Sequence, residues 1–326
     1  MKNNSYKDIL KIINKAHSIA VFTHINPDFD ALGSSLSLVT YCRNLNKTAF
    51  LYTKNEFLDN QKLIFDNLKA RHIDCDFDKF DLVISVDAPS VARLGDYGEG
   101  FMKQPNSIVL DHHFNQGLLG RYNYIDKEMS SCAEIVFEIL KYNKKNITKE
   151  IATYLYAGLS SDTHSFINSN VNEESFKHAY ELVKFNADIN DVNNKQFKFK
   201  TQKEIDFEKY LLDNMNIVKD CAYCVIDNNT LNKMNGKKSD CDFFSSKLIT
   251  IQNINYGFSI IEDENGILNI SMRSMTGYDV KRVAEKFGGG GHLCAAGAKT
   301  SDYKIKELIE IILNYIFESK DEENAN

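Results

Sequence analysis

The stretch "VFTHINPDFDALGSSLSL", residues 21–38, decides the fold and raises the first question of chemistry. An apolar run ends, and His24, Asp28 and Asp30 follow before a helical pattern begins. Imidazole and carboxylate groups are common ligands of divalent cations. A strand that leads through such residues into a helix predicts a ligand site at the end of the strand.

Three further apolar runs occur in the first half of the chain, and each ends in a charged or turn residue. Helical patterns at 30–45 and 57–70 separate them. Continuous apolar runs alternating with helices are typical of parallel strands buried on both faces. We therefore predict an α/β fold class with a mainly parallel sheet. The runs are "TAFLYT", "DLVISVD" and "NSIVLDHH", and further helices are predicted at 131–142, 148–161 and 173–185.

The second half changes character near residue 186, where the sequence becomes polar and helical up to about 216. New apolar runs then indicate a second, smaller α/β domain joined by a helical linker. The predicted bounds are a first domain at 1–186, a linker at 187–216, a second domain at 217–320 and a disordered tail at 321–326. In the second domain, strands are predicted near 221–227, 255–262 and 267–273, and helices near 279–286 and 303–318.

The balance of acidic and basic residues limits the kinds of molecule that the protein can bind. The 326 residues carry 39 basic and 45 acidic side chains, a net charge of −6. No global positive field is available for long duplex nucleic acid, whereas a short nucleotide could bind at a local site. The longest apolar runs are too short for a membrane span, and the N-terminus lacks a secretory signal. A cytoplasmic protein with no membrane partner is expected.

Seven cysteines, an odd number, do not indicate a disulfide framework and fit a reducing compartment. Cys221 and Cys224 form a C-x-x-C pattern, but "CAYCVID" is typical of a strand. Side chains three apart on a strand point to opposite faces. Ordinary cysteines are therefore favoured over a zinc or redox pair.

Acidic and histidine side chains follow several predicted strands. Ligands of open parallel sheets bind beyond the carboxyl ends of the strands, so we expect these side chains to gather at one edge. A further acid, Asp162, follows the helical pattern "EIATYLYAGLSS". The residues after strands are His24, Asp28 and Asp30, then Asp87, and then Asp111, His112 and His113.

Each of these residues also has an ordinary structural interpretation. Asp30 could cap a helix, Asp87 could end a strand and Asp162 could end a helix, while His24 could be a core histidine. Together, however, about five carboxylates at one edge would repel one another unless cations neutralised them. A carboxylate and imidazole set suits Mn²⁺ or a similar ion better than structural zinc. Its size indicates two ions with at least one bridging carboxylate.

The motifs resemble those of the DHH phosphoesterases, in the branch with a C-terminal DHH-associated domain. Each motif alone is a weak signal, but their order and spacing span nearly the whole chain. The motifs are "HINPDFDALGS" (24–34), "VDAPSVARLG" (86–95), "LDHH" (110–113), "GLSSDT" (158–163), "SMRS" (271–274) and "GGGGHLCAAG" (288–297).

The resemblance implies a role for each matching residue. Asp87 would bridge two metal ions, Asp111 would orient a ligand histidine, and His113 would lie near the scissile phosphate, so that Asp111 and His113 form the catalytic pair. The cofactor would be two Mn²⁺ ions, for which Mg²⁺ or Co²⁺ could substitute. The other implied ligands are His24 and Asp28 for one ion, and Asp30, His112 and Asp162 for the other.

The second domain is expected to bind substrate. Four consecutive glycines, 288–291, let the backbone approach a ligand and present amides to an anion, although a flexible loop is the simpler interpretation of a lone glycine run. An arginine with adjacent amides suits a terminal phosphate. Arg93, after the second motif, is either a further phosphate contact or a surface arginine. The resemblance gives the substrate-binding residues as Arg273, Ser274, Gly289, Gly290, Gly291 and His292.

The resemblance implies a Mn²⁺-dependent nanoRNase. It would hydrolyse short 5′-phosphorylated oligonucleotides in the 5′ to 3′ direction by two-metal activation of a bridging hydroxide, with 3′-phosphoadenosine 5′-phosphate as a further substrate. The close alternative is a phosphodiesterase of cyclic or linear dinucleotide messengers. A non-catalytic nucleotide-binding protein is the third interpretation. Short single-stranded oligonucleotides or dinucleotides are the expected partners, and a homodimer is left open.

Overall fold

The structure, a computed structural model, describes residues 3–114 and 117–323. The chain divides into two compact units, Met1–Phe199 and Lys200–Asn326. The first unit contains a parallel sheet with the strand order β3-β2-β1-β4-β5-β6. Its strands are β1 Ser18–Phe22, β2 Thr48–Tyr52, β3 Ala70–Arg71, β4 Leu82–Val86, β5 Ser107–Asp111 and β6 Tyr122–Ile125. Its helices are α1 Tyr6–Lys15, α2 Phe29–Asn44, α3 Asp59–Lys62, α4 Gly98–Met102, α5 Cys132–Leu140, α6 Lys149–Asp162, α7 Glu173–Lys184 and α8 Ile189–Asn193.

Alternate side chains of β1 enter two different cores. Ile19 and Val21 pack in a cluster with residues of α1, α2, α5 and α6. Ala20 and Phe22 pack in a second cluster that includes Phe101 of α4. Burial on both faces is the reason why the strand is a continuous apolar run. The predicted α/β class with a mainly parallel sheet is confirmed.

Helices α2 and α6 pack closely because glycines lie at their contact. A Cβ at Gly33 of α2 would lie 2.4 Å from the carbonyl oxygen of Tyr154 in α6. A Cβ at Gly158 would lie 2.6 Å from Oδ1 of Asp30 and 2.9 Å from Cβ of Ala133. Glycine lowers helix propensity, so its presence here reflects the close approach. The packing brings the C-terminal part of α6 beside the first turn of α2.

The segment 57–70, predicted as one helix, contains only the single turn α3 and a short 3₁₀ turn. The buried side chain of Gln61 donates to the carbonyl of Pro27, which fastens the segment to the loop after β1. Leu63 and Leu68 are exposed, so the apolar residues do not form one buried helical face. Strands β3 and β6, which are short or only partly buried, were not predicted.

The second unit contains a mixed sheet with the order β11-β12-β10-β9-β8-β7, in which β8 and β9 run parallel and the other neighbours antiparallel. Its strands are β7 Asn216–Val218, β8 Cys221–Ile226, β9 Tyr256–Glu262, β10 Leu268–Ser274, β11 Gly290–His292 and β12 Ala295–Thr300. Its helices are α9 Gln202–Asn214, α10 Asn228–Lys233, α11 Phe244–Leu248, α12 Lys281–Lys286 and α13 Ile305–Glu323. Cys221 and Cys224 are buried in two different clusters, as expected for opposite faces of β8.

Residues of the predicted linker, 187–216, fall in both units, since α8 belongs to the first and α9 to the second. The predicted tail, 321–326, is helical to Glu323, and its last three residues lie outside the described part of the chain. None of the described helices combines the length and the apolar content that a membrane span requires.

A buried histidine joins α5 and α7. His178 is fully buried, with Nδ1 2.9 Å from Oε1 of Glu134 and Nε2 2.8 Å from Oε1 of Glu138. Burial disfavours its charged form, but the two glutamates outweigh burial and raise its pKa to about 9. His178 and Lys141 outweigh the burial of Glu138 and lower the pKa of that carboxyl to about 2.

This pairing predicts a pH dependence of stability. Because the pKa of His178 rises from 6.5 to about 9 on folding, its contribution is complete below pH 6.5 and lost as pH rises to about 9. We expect it to be roughly 3 kcal/mol at most. In urea unfolding with chelator at pH 6 and pH 9, His178→Gln should be less stable than wild type at pH 6 and nearly equal at pH 9.

The matched control for this prediction is His17→Gln, because His17 is exposed. It should keep the pH dependence of the wild type. A His178→Gln protein that lost as much stability between pH 6 and pH 9 as the wild type would contradict the assignment.

Candidate metal centre

The candidate centre lies at the point in the first sheet where the strand order changes direction. From β1 the chain continues to β2 and β3 on one side, and from β4 it continues to β5 and β6 on the other. Strands β1 and β4 are neighbours, but the chain leaves them towards opposite edges, and ligands bind at such switch points. His24 follows β1 and Asp87 follows β4. Their side chains meet there, with Nε2 of His24 3.5 Å from Oδ2 of Asp87. Asp28 Oδ2 lies 3.6 Å from the same nitrogen.

Asp87 faces two groups of side chains at once. While Oδ2 points to His24, Oδ1 lies 3.5 Å from Nε2 of His112 and 3.4 Å from Nδ1 of His113. The residue is buried and has a backbone φ of +60°. Such a conformation is uncommon outside glycine, is tolerated by aspartate, and occurs preferentially at functional sites.

A second group surrounds His112. Its Nε2 lies 3.2 Å from Oδ2 of Asp162 and 3.9 Å from Oδ2 of Asp30. Asp30 is fully buried, and its carboxylate accepts hydrogen bonds from the backbone N–H groups of Cys132 and Ala133, at 2.6 and 2.9 Å. The N-terminus of α5 therefore holds this carboxylate.

The structure separates the roles of the two aspartates in the opening motif. Asp28 is the N-cap of α2 and accepts from the backbone N–H of Ala31 at 2.9 Å. The simple interpretation of Asp30 as the N-cap was therefore wrong, because Asp30 lies within the first turn and points to another helix.

The two histidines at the centre have their Nδ1 atoms against carbonyl groups. His24 Nδ1 lies 2.9 Å from the oxygen of Ile25, and His112 Nδ1 lies 3.3 Å from that of Met129. For His112, a proton on Nδ1 satisfies the carbonyl, and Nε2 would then supply the lone pair that binds a cation in place of a proton. This is the tautomer in which Nε2 binds a metal.

The electrostatics of the centre favour added positive charge. Burial, followed by the charges of Asp162 and Asp87, raises the pKa of Asp30 well above its ordinary value. His112 is buried, yet the nearby carboxylates of Asp162 and Asp87 outweigh burial and raise its pKa to about 12. Asp28 and Asp87 raise the pKa of His24 to about 10, against its burial. The carboxylates thus attract cations strongly.

The donor atoms fit divalent ions. Among the described residues, buried Oδ1 of Asp87 and Nε2 of His112 have no hydrogen-bond partner. An unsatisfied buried polar atom costs about 1–3 kcal/mol, which a bound cation would remove. Carboxylate and imidazole donors are suited to ions such as Mn²⁺. Three sets have donor atoms within 4.8 Å of one another: His24, Asp28 and Asp87; Asp30, His112 and Asp162; and Asp87, His112 and His113.

Asp111 contacts His113, which is not one of the two histidines that the resemblance implies as metal ligands. Its Oδ1 accepts from the backbone N–H of His113 at 3.2 Å and lies 2.9 Å from that residue's Nδ1. His112 instead faces the carbonyl of Met129. The backbone contact closes a tight turn directly after β5, which brings the ring of His113 to the carboxylate of Asp111. The hydrogen bond that His113 donates to Asp111 raises the pKa of His113.

Arg93 lies at the border of the centre. The residue is exposed, and its guanidinium Nη2 is 3.0 Å from Nδ1 of His24. Its carbonyl accepts from the backbone N–H of Ile25 at 2.8 Å, which joins the loops after β1 and β4. The arginine is therefore beside the candidate centre, on its solvent side.

The second unit has a groove of about 870 Å³ beside the glycine-rich strand β11. Cationic side chains predominate among its charged residues, with Asp242 as an acid paired to Lys238 at 2.8 Å. Small residues of β11 and β12 form its floor. The predicted residues that line it are Arg273, Gly289, Gly290 and His292, and Gly288, Ser271 and Lys299 also contribute.

The glycines of this motif have distinct roles. A Cβ at Gly289 would lie 2.2 Å from the carbonyl oxygen of Gly297, and Gly291 has a φ of +147°. Gly290 has neither constraint, since no described heavy atom lies within 4 Å of its Cβ position. Ser274 is buried and its hydroxyl donates to the carbonyl of Tyr278 at 2.5 Å. Ser274 therefore closes a turn, and neither it nor Gly291 is among the described residues lining the groove.

The structure adds contacts that were not predicted: the backbone of the segment 129–133, at the start of α5, holds Asp30 and faces His112. Ser131 and Glu134 form a capping box at this helix start. The helix predicted at 131–142 begins at this capping box, whose S-x-x-E pattern is a sequence signal, but the pattern does not give the contacts with Asp30 and His112.

Comparison with known proteins gives the family. Residues 18–159 match the model described as "DHH family, N-terminal domain", and residues 222–318 match the "DHHA1 domain". The chain therefore contains a DHH-family N-terminal domain and a DHHA1 domain. The predicted family is confirmed, and it indicates a phosphoesterase hydrolase.

Two DHH relatives match over most of their length. A "bifunctional oligoribonuclease and PAP phosphatase NrnA" of Mycoplasma genitalium is 27% identical over 310 residues, 93% of this chain and 95% of the relative. A probable enzyme of the same name from Streptococcus mutans is 27% identical over 312 residues, 94% and 96% of the two chains. The crystal structure of an exopolyphosphatase-related protein from Bacteroides fragilis matches with a TM-score of 0.88 and 25% identity, over 97% and 96% of the chains.

The repulsion within the DHH centre predicts a gain of stability when one acid is neutralised. Burial raises the pKa of Asp162, and nearby carboxylates add to this rise against the opposing effect of His112. With a chelator present, Asp162→Asn should stabilise the protein by roughly 1 kcal/mol, as is common where a functional site stores strain. In thermal unfolding, it should also lose most of the stabilisation that Mn²⁺ gives the wild type.

The control for this prediction is Asp59→Asn, because that acid is exposed and belongs to none of the three sets. It should change neither the stability with chelator nor the shift with Mn²⁺. An Asp162→Asn protein that was less stable with chelator, or that kept the full Mn²⁺ shift, would contradict the interpretation.

Proposed function

We propose that this chain is a Mn²⁺-dependent phosphoesterase that hydrolyses short 5′-phosphorylated oligonucleotides from the 5′ end and removes the 3′-phosphate of 3′-phosphoadenosine 5′-phosphate. The observation that carries the proposal is Asp87, whose two oxygens face two different groups of acid and histidine donors. The family and the names of the relatives support the substrate class.

In this proposal, Asp87 is shared by two metal-binding groups, with Mg²⁺ or Co²⁺ as substitutes for Mn²⁺. When bound, the ions would polarise the phosphoryl oxygens and lower the pKa of a water molecule at the centre. The proposed ligands are His24 and Asp28 on one side and Asp30, His112 and Asp162 on the other.

His113 is the proposed contact with the scissile phosphate. Its side chain is 46% exposed, whereas those of His24 and His112 are 6% and 12% exposed. Asp111 engages Nδ1 and fixes the ring, so Nε2 is the atom left to donate a hydrogen bond to a phosphate or leaving-group oxygen. Asp111 thus orients His113 in this proposal.

The groove of the second unit is the proposed binding site for a terminal phosphate. Arg273 and Lys299 line it and supply positive charge. Strand β11 is at the end of the sheet, so backbone groups on its outer side lie outside the sheet's hydrogen-bond ladder. Glycine amides and an arginine are together suited to a phosphate. A local site of this size suits short substrates in an acidic protein.

The proposed enzyme acts in the cytoplasm, which its cysteine content supports. We retain the homodimer as a prediction, and light scattering of the purified full-length chain tests it.

The central prediction concerns Asp87. With Mn²⁺ present, wild type should release mononucleotides from 5′-phosphorylated dimers to pentamers and phosphate from the adenosine bisphosphate. Asp87→Asn should reduce both rates by at least about 100-fold, because it removes a shared ligand. The matched control is Asp81→Asn, at the opposite end of β4, where the side chain accepts from the backbone of Ser18. It should retain activity.

Three outcomes would contradict the proposal. Preferential cleavage of cyclic dinucleotides would favour a messenger phosphodiesterase. Tight oligonucleotide binding without turnover would favour a nucleotide-binding protein. Equal rates of hydrolysis for wild type and Asp87→Asn would show that the candidate centre takes no part in the reaction.

A further prediction tests the groove by substituting two adjacent glycines, Gly289 and Gly290, one at a time. Gly290→Ala should fold normally and raise the KM for oligonucleotides roughly 10-fold, because its methyl group would enter the groove while the sheet tolerates it. The rate on an activated phosphodiester with no terminal phosphate should be unchanged. Gly289→Ala should instead lower stability, since its methyl group would clash with Gly297. An unchanged KM in Gly290→Ala and in Arg273→Ala would contradict this role of the groove.

A further inference from the structure

The segment 129–133, which precedes and begins α5, reaches three of the proposed ligands. The carbonyl of Met129 faces Nδ1 of His112 at 3.3 Å. The N–H groups of Cys132 and Ala133 donate to the two carboxylate oxygens of Asp30. These contacts are made by the backbone, so they depend on the path of the chain rather than on the identity of the side chains.

The same segment is linked to the third ligand. Asn170 donates through Nδ2 to the carbonyl of Ser130 at 3.0 Å and to that of Asp162 at 3.2 Å. The amide therefore connects the segment to the end of α6. His112, Asp30 and Asp162 form one of the three donor sets. One short stretch of backbone thus contacts, directly or through Asn170, each member of that set.

One carboxylate fixes the path of this segment. Oε2 of Glu134 accepts from the backbone N–H of Ser130 at 2.7 Å, from the hydroxyl of Ser130 at 2.6 Å, and from the N–H of Ser131 at 3.1 Å. Its other oxygen, Oε1, is 2.9 Å from Nδ1 of His178. The side chains of Glu134 and His178 are each 1% exposed.

A buried ion pair contributes little net stability to a fold. Desolvation of the two charges offsets much of their attraction, and apolar replacements are often as stable. The Glu134–His178 pair does more than join α5 to α7, because the same carboxylate holds two successive N–H groups just before the residues that bind Asp30. Groups that orient metal ligands commonly change affinity 10- to 100-fold when altered.

We propose that Glu134, braced by His178, is a positioning residue for the metal-binding set of Asp30, His112 and Asp162. It acts through the segment 129–133 and touches neither metal nor substrate. This inference rests on the proposed function, since it assumes that the set binds a divalent ion.

Glu138 provides a matched control within the same helix. It is one turn beyond Glu134 and contacts the other nitrogen of His178 at 2.8 Å, but its other recorded partner is Lys141 at 2.8 Å, not the segment. Glu134→Gln and Glu138→Gln each remove one charge from the same histidine. Both should reduce stability, whereas only the first should disturb the metal ligands.

The experiment measures Mn²⁺ binding to the full-length chain by calorimetry, with free Mn²⁺ followed by electron paramagnetic resonance. Urea unfolding gives the stability of each variant. Glu134→Gln should bind Mn²⁺ 10- to 100-fold more weakly than wild type at the affected site. Glu138→Gln should bind within about 3-fold of wild type at a similar loss of stability. Ser130→Ala, which removes one donor to Glu134, should show a smaller loss in the same direction and serves if Glu134→Gln does not fold.

Two results would overturn the inference. The first is a wild-type affinity for Mn²⁺ in Glu134→Gln, or in Ser130→Ala if Glu134→Gln does not fold. The second is an equal loss of Mn²⁺ affinity in Glu134→Gln and Glu138→Gln. In either case wild type would still bind Mn²⁺ and hydrolyse oligonucleotides, so the proposed function would stand. A wild-type protein that bound no Mn²⁺ would instead overturn both.

Discussion

The constraint on which the first unit depends is the repulsion among carboxylates that the fold holds together out of water. Asp30 and Asp87 are almost fully buried, and Asp162 is close to the same histidine that they face. Grouping them requires a rigid support. The parallel sheet supplies it by ending two neighbouring strands at the same place, and the glycine contacts of α2 with α6 supply the rest.

The support is layered. Side chains on strand ends face the centre, a helix start holds one carboxylate with backbone amides, and a buried glutamate and histidine hold that helix start. Each layer fixes the one inside it, so few of the groups at the centre can move independently. Such preorganisation lowers the penalty for assembling a metal site from distant parts of the chain.

Much of this arrangement was accessible from the sequence. Burial on both faces makes parallel strands visible as apolar runs, and each charged residue after a run was a candidate ligand; the structure brings those of β1, β4 and β5 together. The contacts of the segment 129–133 with the proposed ligands were not accessible, because backbone amides and carbonyls carry no residue-specific signal. The pairing of the glycine run as strand β11 depends on β12, which local sequence does not specify. The helix predicted at 57–70 failed for a similar reason. The hydrogen bond from Gln61 to the carbonyl of Pro27 is a tertiary contact that the local helical composition does not reveal.

The division of work between Asp28 and Asp30 restricts how this family motif can vary. One residue caps α2 and the other extends from its first turn, so their relative direction is set by the geometry of the helix start. Inserting a single residue between them would rotate the second carboxylate by about 100° around the helix axis, away from the amides of α5. The D-x-D spacing is therefore a fixed length, and the residue between the two acids can change in identity but not in number.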